Sequence, residues 1–213
     1  MPASWLAEPP FPDRAAAGQL LAAELSSLAD RRPIVFALPR CGVPVAYEVA
    51  QHLGAPLDVA LVRTVRTADR NDELLATVLE GDPPTIRIQP HEPIARDLIA
   101  DAVEELEKRL QLYRSGSRPM SPAGRTAIVV DQAITSGHAV AGAIELLRQA
   151  GARSVVVAAP VASDPGLARL APLAARVVTL RRVADVGALD QHYVDWRQVT
   201  HQEALACLEK ARE

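Results

Sequence analysis

Aromatic side chains make up only 3% of this 213-residue sequence, so Val, Leu, Ile and Ala must fill its core. Hydrophobic residues are still 49% of the chain, ample for one α/β core with a small appendage. Cysteine is nearly absent. Cys41 and Cys207 are no disulfide framework for a chain of this size, and they fit a reducing compartment. No apolar run approaches the roughly 20 residues needed to span a bilayer, and the N-terminal MPASWLAEPPFPD lacks the basic-then-apolar layout of a secretory signal. A cytoplasmic chain with no membrane partner is the expectation. The formal charge of −3, with both signs interspersed, gives no electrostatic footprint for nucleic acid. His52, His91, His192 and His201 show no metal-ligand spacing. There is neither a Walker loop nor a G-x-G-x-x-G after any strand.

What is present is a strand–helix rhythm. The first twelve residues are proline-rich and read as an irregular arm. Asp13 is placed to cap a helix through Ala15, Leu20, Leu21 and Leu25. Residues 33–38 (PIVFAL) and 57–62 (LDVALV) read as buried strands around a helix over 43–53, with Gly54 at its C-cap. Residues 63–72 (RTVRTADRND) have no apolar period and predict a mobile loop, followed by a hairpin of 74–79 with 85–88. Residues 93–113 predict an amphipathic helix with Ile94, Leu98, Val103, Leu106, Leu110 and Tyr113 as its stripe, then a linker over 115–124. Further strands are expected at 126–130, 154–159 and 176–180, with helices over 138–149 and 166–173. Thr200 and Glu203 form a capping box for a last helix. The alternation predicts a mostly parallel sheet flanked by helices.

In such sheets, ligands bind beyond the C-terminal ends of strands. Residues 129–139 (VVDQAITSGHA) deliver Asp131 to that rim and turn through Thr135, Ser136 and Gly137 into a helix. Open N–H groups at a helix start, two hydroxyls and a permissive glycine make an anion cradle, while Asp131 stands ready for sugar hydroxyls. That combination suits a ribose 5-phosphate group. The plainer reading is that Asp131 and Ser136 only cap a helix. A second strand-to-helix turn, 38–43 (LPRCGV), offers the Arg40 guanidinium and backbone amides to another anion, such as pyrophosphate.

These two loops, in this order, resemble the type I phosphoribosyltransferase family, and most closely its bacterial branch of small phosphoribosyltransferase-like proteins. Residues 11–18 (FPDRAAAG) match that branch's opening helix, and 38–46 (LPRCGVPVA) its pyrophosphate loop. Residues 53–59, 105–109 and 113–114 follow in register. The stretch 124–131 (GRTAIVVD) leads into the phosphoribosyl diphosphate (PRPP) motif, and 193–198 (YVDWRQ) matches the tail. The resemblance implies a five-stranded parallel core over about 13–182, with a small hood from the N-terminal arm and about 183–213, all one domain over 1–213. It implies transfer of phosphoribose from PRPP to a nitrogen-containing nucleophile, with pyrophosphate leaving and magnesium bound through PRPP. A homodimer is expected by analogy. Carried over, Thr135, Ser136, Gly137, His138 and Ala139 hold the 5-phosphate, and Asp131 with Gln132 meets the ribose. Arg40, Cys41 and Gly42 receive the pyrophosphate, which makes Asp131 and Arg40 the catalytic pair.

The departures from the family pattern gather in the site. Gln132 stands where a second acid is usual, and Ala139 replaces a threonine. Cys41 stands where glycine is expected, Thr64 replaces a lysine, and Thr77 replaces a glycine. A charge-assisted hydrogen bond is worth ~1.5–3 kcal/mol, so the Gln132 change bears on PRPP affinity. Residues 183–192 fit the family tail poorly. Cys41, beside Arg40 at a helix start, is a candidate nucleophile with His138 as its base, or else a small buried apolar residue. Trp196 either stacks on a flat substrate or packs in the core. Three functions follow: a PRPP-dependent transferase, a silent PRPP- or nucleotide-binding regulator, or a repurposed enzyme working through Cys41.

Overall fold

The computed structural model describes residues 9–67, 73–89, 96–115 and 118–212. Its main sheet is parallel throughout. The strands are β1 (Ile34–Ala37), β2 (Leu57–Val59), β6 (Thr126–Val130), β7 (Ala133–Ile134), β8 (Ser154–Ser163) and β9 (Arg176–Val183). Their order is β2–β1–β6–β8–β7, with β9 also on β8. The two-residue β7 continues the β6 row along β8, so the expected five rows are present.

Alternation within the strands sorts the core into two layers. Val35, Ala37, Ile128 and Val130 face α1 (Arg14–Leu25) and α2 (Gly42–Leu53), while Ile34, Phe36, Ala127 and Val129 face α4 (His138–Gln149). Asp13 caps α1 through Ala16 N–H at 2.7 Å, and Gly54 ends α2 at a φ of 57°. Both layers are mostly Val, Leu, Ile and Ala, with Tyr113 in one and Phe36 in the other. The short α5 (Asp164–Leu170) follows β8, and α6 (His201–Lys210) starts at a complete Thr200–Glu203 capping box. Among the described residues, no helix is long and apolar enough to cross a membrane.

Several expectations need correction. Residues 57–62 are not one strand. After β2 the chain leaves the parallel sheet, and β3 (Val62–Arg66) joins β4 (Leu74–Leu79) and β5 (Thr85–Ile88) in a separate antiparallel sheet. The polar run expected as a mobile loop is therefore a strand as far as Arg66, and 68–72 lie outside the described residues. Its polar residues are half-buried, because β3 borders a cleft and pairs its charge with α3 (Arg96–Arg114) through Arg63–Glu105 at 2.6 Å. Ile94 and the start predicted for α3 lie outside the described residues. Of the expected α3 stripe, Leu106 and Tyr113 are buried and Val103 and Leu110 pack against the core, joined by Ile99 and Ala102, whereas Leu98 is 41% exposed. Strands β8 and β9 run further than expected, to Ser163 and Val183. Residues 183–192 pack against Phe11: Val186 and His192 are buried, with His192 Nε2 2.8 Å from the Val186 carbonyl.

Candidate active site

Beyond the C-terminal ends of β1 and β6 lies a cleft of about 500 Å³. Arg40 and Cys41 line it from one loop, Asp131, Gln132 and Ala139 from the other, and Arg63 and Arg109 from β3 and α3. Arg14 of α1 and Asp190, Trp196 and Gln198 of the C-terminal segment close it. The two loops can approach because Gly42 has no side chain. A Cβ there would stand 3.0 Å from the Val130 carbonyl oxygen and 3.1 Å from the Asp131 Cα.

Asp131 is half-buried, and its Oδ1 accepts a 2.7 Å hydrogen bond from Gln132 N–H. Burial outweighs that bond and pushes the carboxyl up to about 7. Gln132 is engaged on both sides. Its Oε1 accepts from Arg14 Nε at 2.7 Å, and its carbonyl accepts from Tyr193 Oη at 2.6 Å. Arg14 then reaches the C-terminal segment, donating to the carbonyls of Arg197 at 2.9 Å and Trp196 at 3.1 Å. Arg40, which follows a cis Pro39–Arg40 peptide, donates to Gln198 Oε1 at 2.7 Å. Nearby, Tyr113 Oη lies 3.0 Å from His201 Nδ1. Burial, then the charges of Arg40 and Arg109, hold His201 below its usual value.

Past Gln132 the loop pairs with β8 through β7 and turns at Gly137, where φ is 76°. No side chain caps α4, so neither Asp131 nor Ser136 has the capping role of the plainer reading. Ser136 Oγ instead accepts from Arg66 at 2.6 Å. The Thr135 carbonyl accepts from Ser163 Oγ at 2.5 Å and the Ser136 carbonyl from Arg169 Nε at 2.8 Å, so both face α5. Across a trans peptide the next N–H points the opposite way, which turns the N–H groups of Ser136 and Gly137 away from α5. Gly166 permits this packing, since a Cβ there would meet the Thr135 carbonyl oxygen at 2.3 Å. Thr135, Ser136 and Arg66 line a second cavity of about 590 Å³ with Ser163 and Asp185.

The residues singled out from sequence are thus distributed. Ala139 lines the cleft and not the cavity of Thr135 and Ser136. His138 lines a third cavity with Thr77, Gly142 and Arg169, apart from Cys41. The expected thiol–imidazole pair is not brought together. Cys41 is half-buried and packs against the α1–α2 layer of the core. Trp196 is 53% exposed at the cleft, not in the core. Thr64 and Thr77 face each other across β3 and β4, and Thr77 is buried over Gly142 of α4, where an added Cβ would come within 2.9 Å of the Thr77 methyl. That departure is a packing choice. Arg14, Arg66 and Arg109 are contributions that sequence reasoning missed. Arg14 and Arg109 sit inside quoted family segments, and Arg66 sits in the run taken for a loop.

The family model for the phosphoribosyl transferase domain matches residues 12–181. A Mycobacterium tuberculosis protein provisionally named a phosphoribosyl transferase is 35% identical over 207 residues, which is 94% of this chain and 47% of that protein. The chain therefore spans about half the length of that relative. A ribose-phosphate pyrophosphokinase of Mycobacterium bovis is 42% identical over 67 residues, covering 30% of this chain and 21% of its own. Among solved structures, a Thermus thermophilus protein superposes with a TM-score of 0.81 at 36% identity, covering 94% of this chain and 98% of its own. The chain belongs to the phosphoribosyl transferase family, with that family's parallel sheet flanked by helices.

Proposed function

We propose that the cleft transfers phosphoribose from PRPP to a nitrogen-containing nucleophile and releases pyrophosphate. The observation that carries this reading is the uncapped start of α4, on the same loop as the Asp131 carboxylate and across a cleft from Arg40. The N–H groups of Ser136 and Gly137, with Ser136 Oγ and Arg66, would hold the 5-phosphate. Asp131 would accept hydrogen bonds from the ribose hydroxyls, and Arg40 would meet the departing diphosphate. The transition state is oxocarbenium-like, so catalysis rests on positioning and on neutralising the leaving charge. The exposed face of Trp196 offers a flat nucleophile a stacking surface.

The residues present do not build a protein-side magnesium site. Asp131 and Asp190 are the two carboxylates lining the cleft, the Gln132 oxygen is already taken by a guanidinium, and among the described residues no three His, Cys, Asp or Glu side chains gather. No step is assigned to an ion.

The test is pyrophosphate release from PRPP across a panel of nitrogen heterocycles, with calorimetric binding measured alongside. Turnover with one base, lost in Asp131→Asn, supports transfer. A second reading, a regulator that binds PRPP without turnover, is favoured by the engagement of Arg40 with Gln198. Tight binding with no release for any base selects it. No PRPP binding under any condition removes both.

A further inference from the structure

We infer that Arg14 is a fixed cation for the diphosphate-bearing ribose ligand, standing in for a metal held by a second acid, so that PRPP binds with weak dependence on divalent metal. The inference rests on the phosphoribosyl reading above. It starts from an anomaly. Arg14 is 5% exposed, yet among the described residues every oxygen it donates to is neutral: the Gln132 amide and the carbonyls of Asp195, Trp196 and Arg197. The Tyr193 ring lies 5.6 Å away and carries no charge to match. A buried guanidinium without an anion is expensive unless one arrives.

The cleft is where an anion would arrive. Arg14 lines it together with Arg40, Asp131 and Gln132. Asp131 shares that cleft but makes no ion pair with Arg14, and among the described residues its carboxylate accepts from the Gln132 N–H alone. What separates an amide from an acid at Gln132 is charge, since its Oε1 is the atom that accepts from Arg14. A carboxylate at that position would pair with Arg14 and cancel its charge, whereas an amide orients the guanidinium and leaves the charge for the ligand. The same Arg14 holds the strap 195–197, so the cation is fixed from both sides. A fixed cation needs no reorganisation when the ligand binds.

The experiment measures the Kd of PRPP calorimetrically in magnesium and in EDTA, with circular dichroism as a check on folding. For the unaltered chain the two values should lie within about tenfold of each other. Arg14→Met should weaken the EDTA value by about ten- to a hundredfold, the scale of one charge-assisted bond, and Arg14→Lys should recover most of it. Should Arg14→Met fail to fold, Gln132→Glu tests the same point without touching Arg14: by cancelling the charge, it should weaken binding in EDTA to a similar degree. Binding of the unaltered chain that disappears in EDTA overturns the inference and leaves the phosphoribosyl reading standing. An EDTA Kd unmoved by both Arg14→Met and Gln132→Glu does the same. Absence of PRPP binding in either buffer overturns both.

Discussion

The Arg40 guanidinium donates to Gln198 Oε1 at 2.7 Å, tying the turn between β1 and α2 to the segment before α6 across 158 residues of sequence. On the proposed reading Arg40 meets the departing diphosphate, and here it is held by an amide. A ligand anion and Gln198 therefore compete for the orientation of one guanidinium. The contact is exposed, so its net worth is about 1 kcal/mol.

Gln198→Ala should accordingly tighten pyrophosphate binding by about threefold to fivefold, through release of Arg40. Calorimetric titration of pyrophosphate measures it. Weaker binding in the variant would show that Gln198 positions Arg40 for the anion instead of competing with it.

A second prediction concerns the join between the two sheets. Arg114, at the end of α3, donates to Asp58 of β2 at 2.5 Å, to Glu80 after β4 at 2.7 Å and to the Val59 carbonyl at 2.8 Å. Asp58 also accepts from Met120 N–H at 2.8 Å, and all three charged side chains are at most 10% exposed. Removing the one cation leaves two carboxylates buried side by side. Arg114→Met should cost about 3–5 kcal/mol, read as a lower urea midpoint at unchanged slope. A loss under about 1 kcal/mol would mean that apolar packing of α3 alone fixes the small sheet.

Apolar periodicity makes the scaffold legible from the residues alone. The β6 run TAIVV, the helix His138–Gln149 and the Thr200–Glu203 capping box fall where the pattern puts them. Strand β3 was not legible, because one side of it meets a charged cleft. Arg63, Thr64 and Arg66 give it no apolar alternation, and it is held by pairing to β4 and by Glu105. Of the candidate site, the loop from Asp131 to Gly137 could be read, since a glycine and two hydroxyls at a helix start are a local signal. The role of Arg14 could not. Its partner Gln132 is 118 residues away, and in sequence an arginine after a capping aspartate is only the first residue of a helix.

The last prediction follows from Asp131. Burial raises its carboxyl to about 7 in the folded chain, against 3.8 as its ordinary value. Below pH 4 both folded and unfolded chains hold this proton. Between about 4 and 7 the folded chain keeps a proton that the unfolded chain releases, so stability falls as pH rises through that window and levels off above it. Asp131→Asn should flatten that slope and raise stability at pH 8 by roughly 1–3 kcal/mol, allowing for the solvent at the mouth of the cleft. Ligand binding should run the other way. On the proposed reading ribose hydroxyls donate to the charged carboxylate, so PRPP affinity should climb as pH rises through about 7 in the unaltered chain and stay flat and lower in Asp131→Asn. Chemical unfolding and calorimetry from pH 5 to 8.5 read both effects. A variant that is neither more stable nor less able to bind would show that this carboxylate is solvated, and would take the ribose contact away from Asp131.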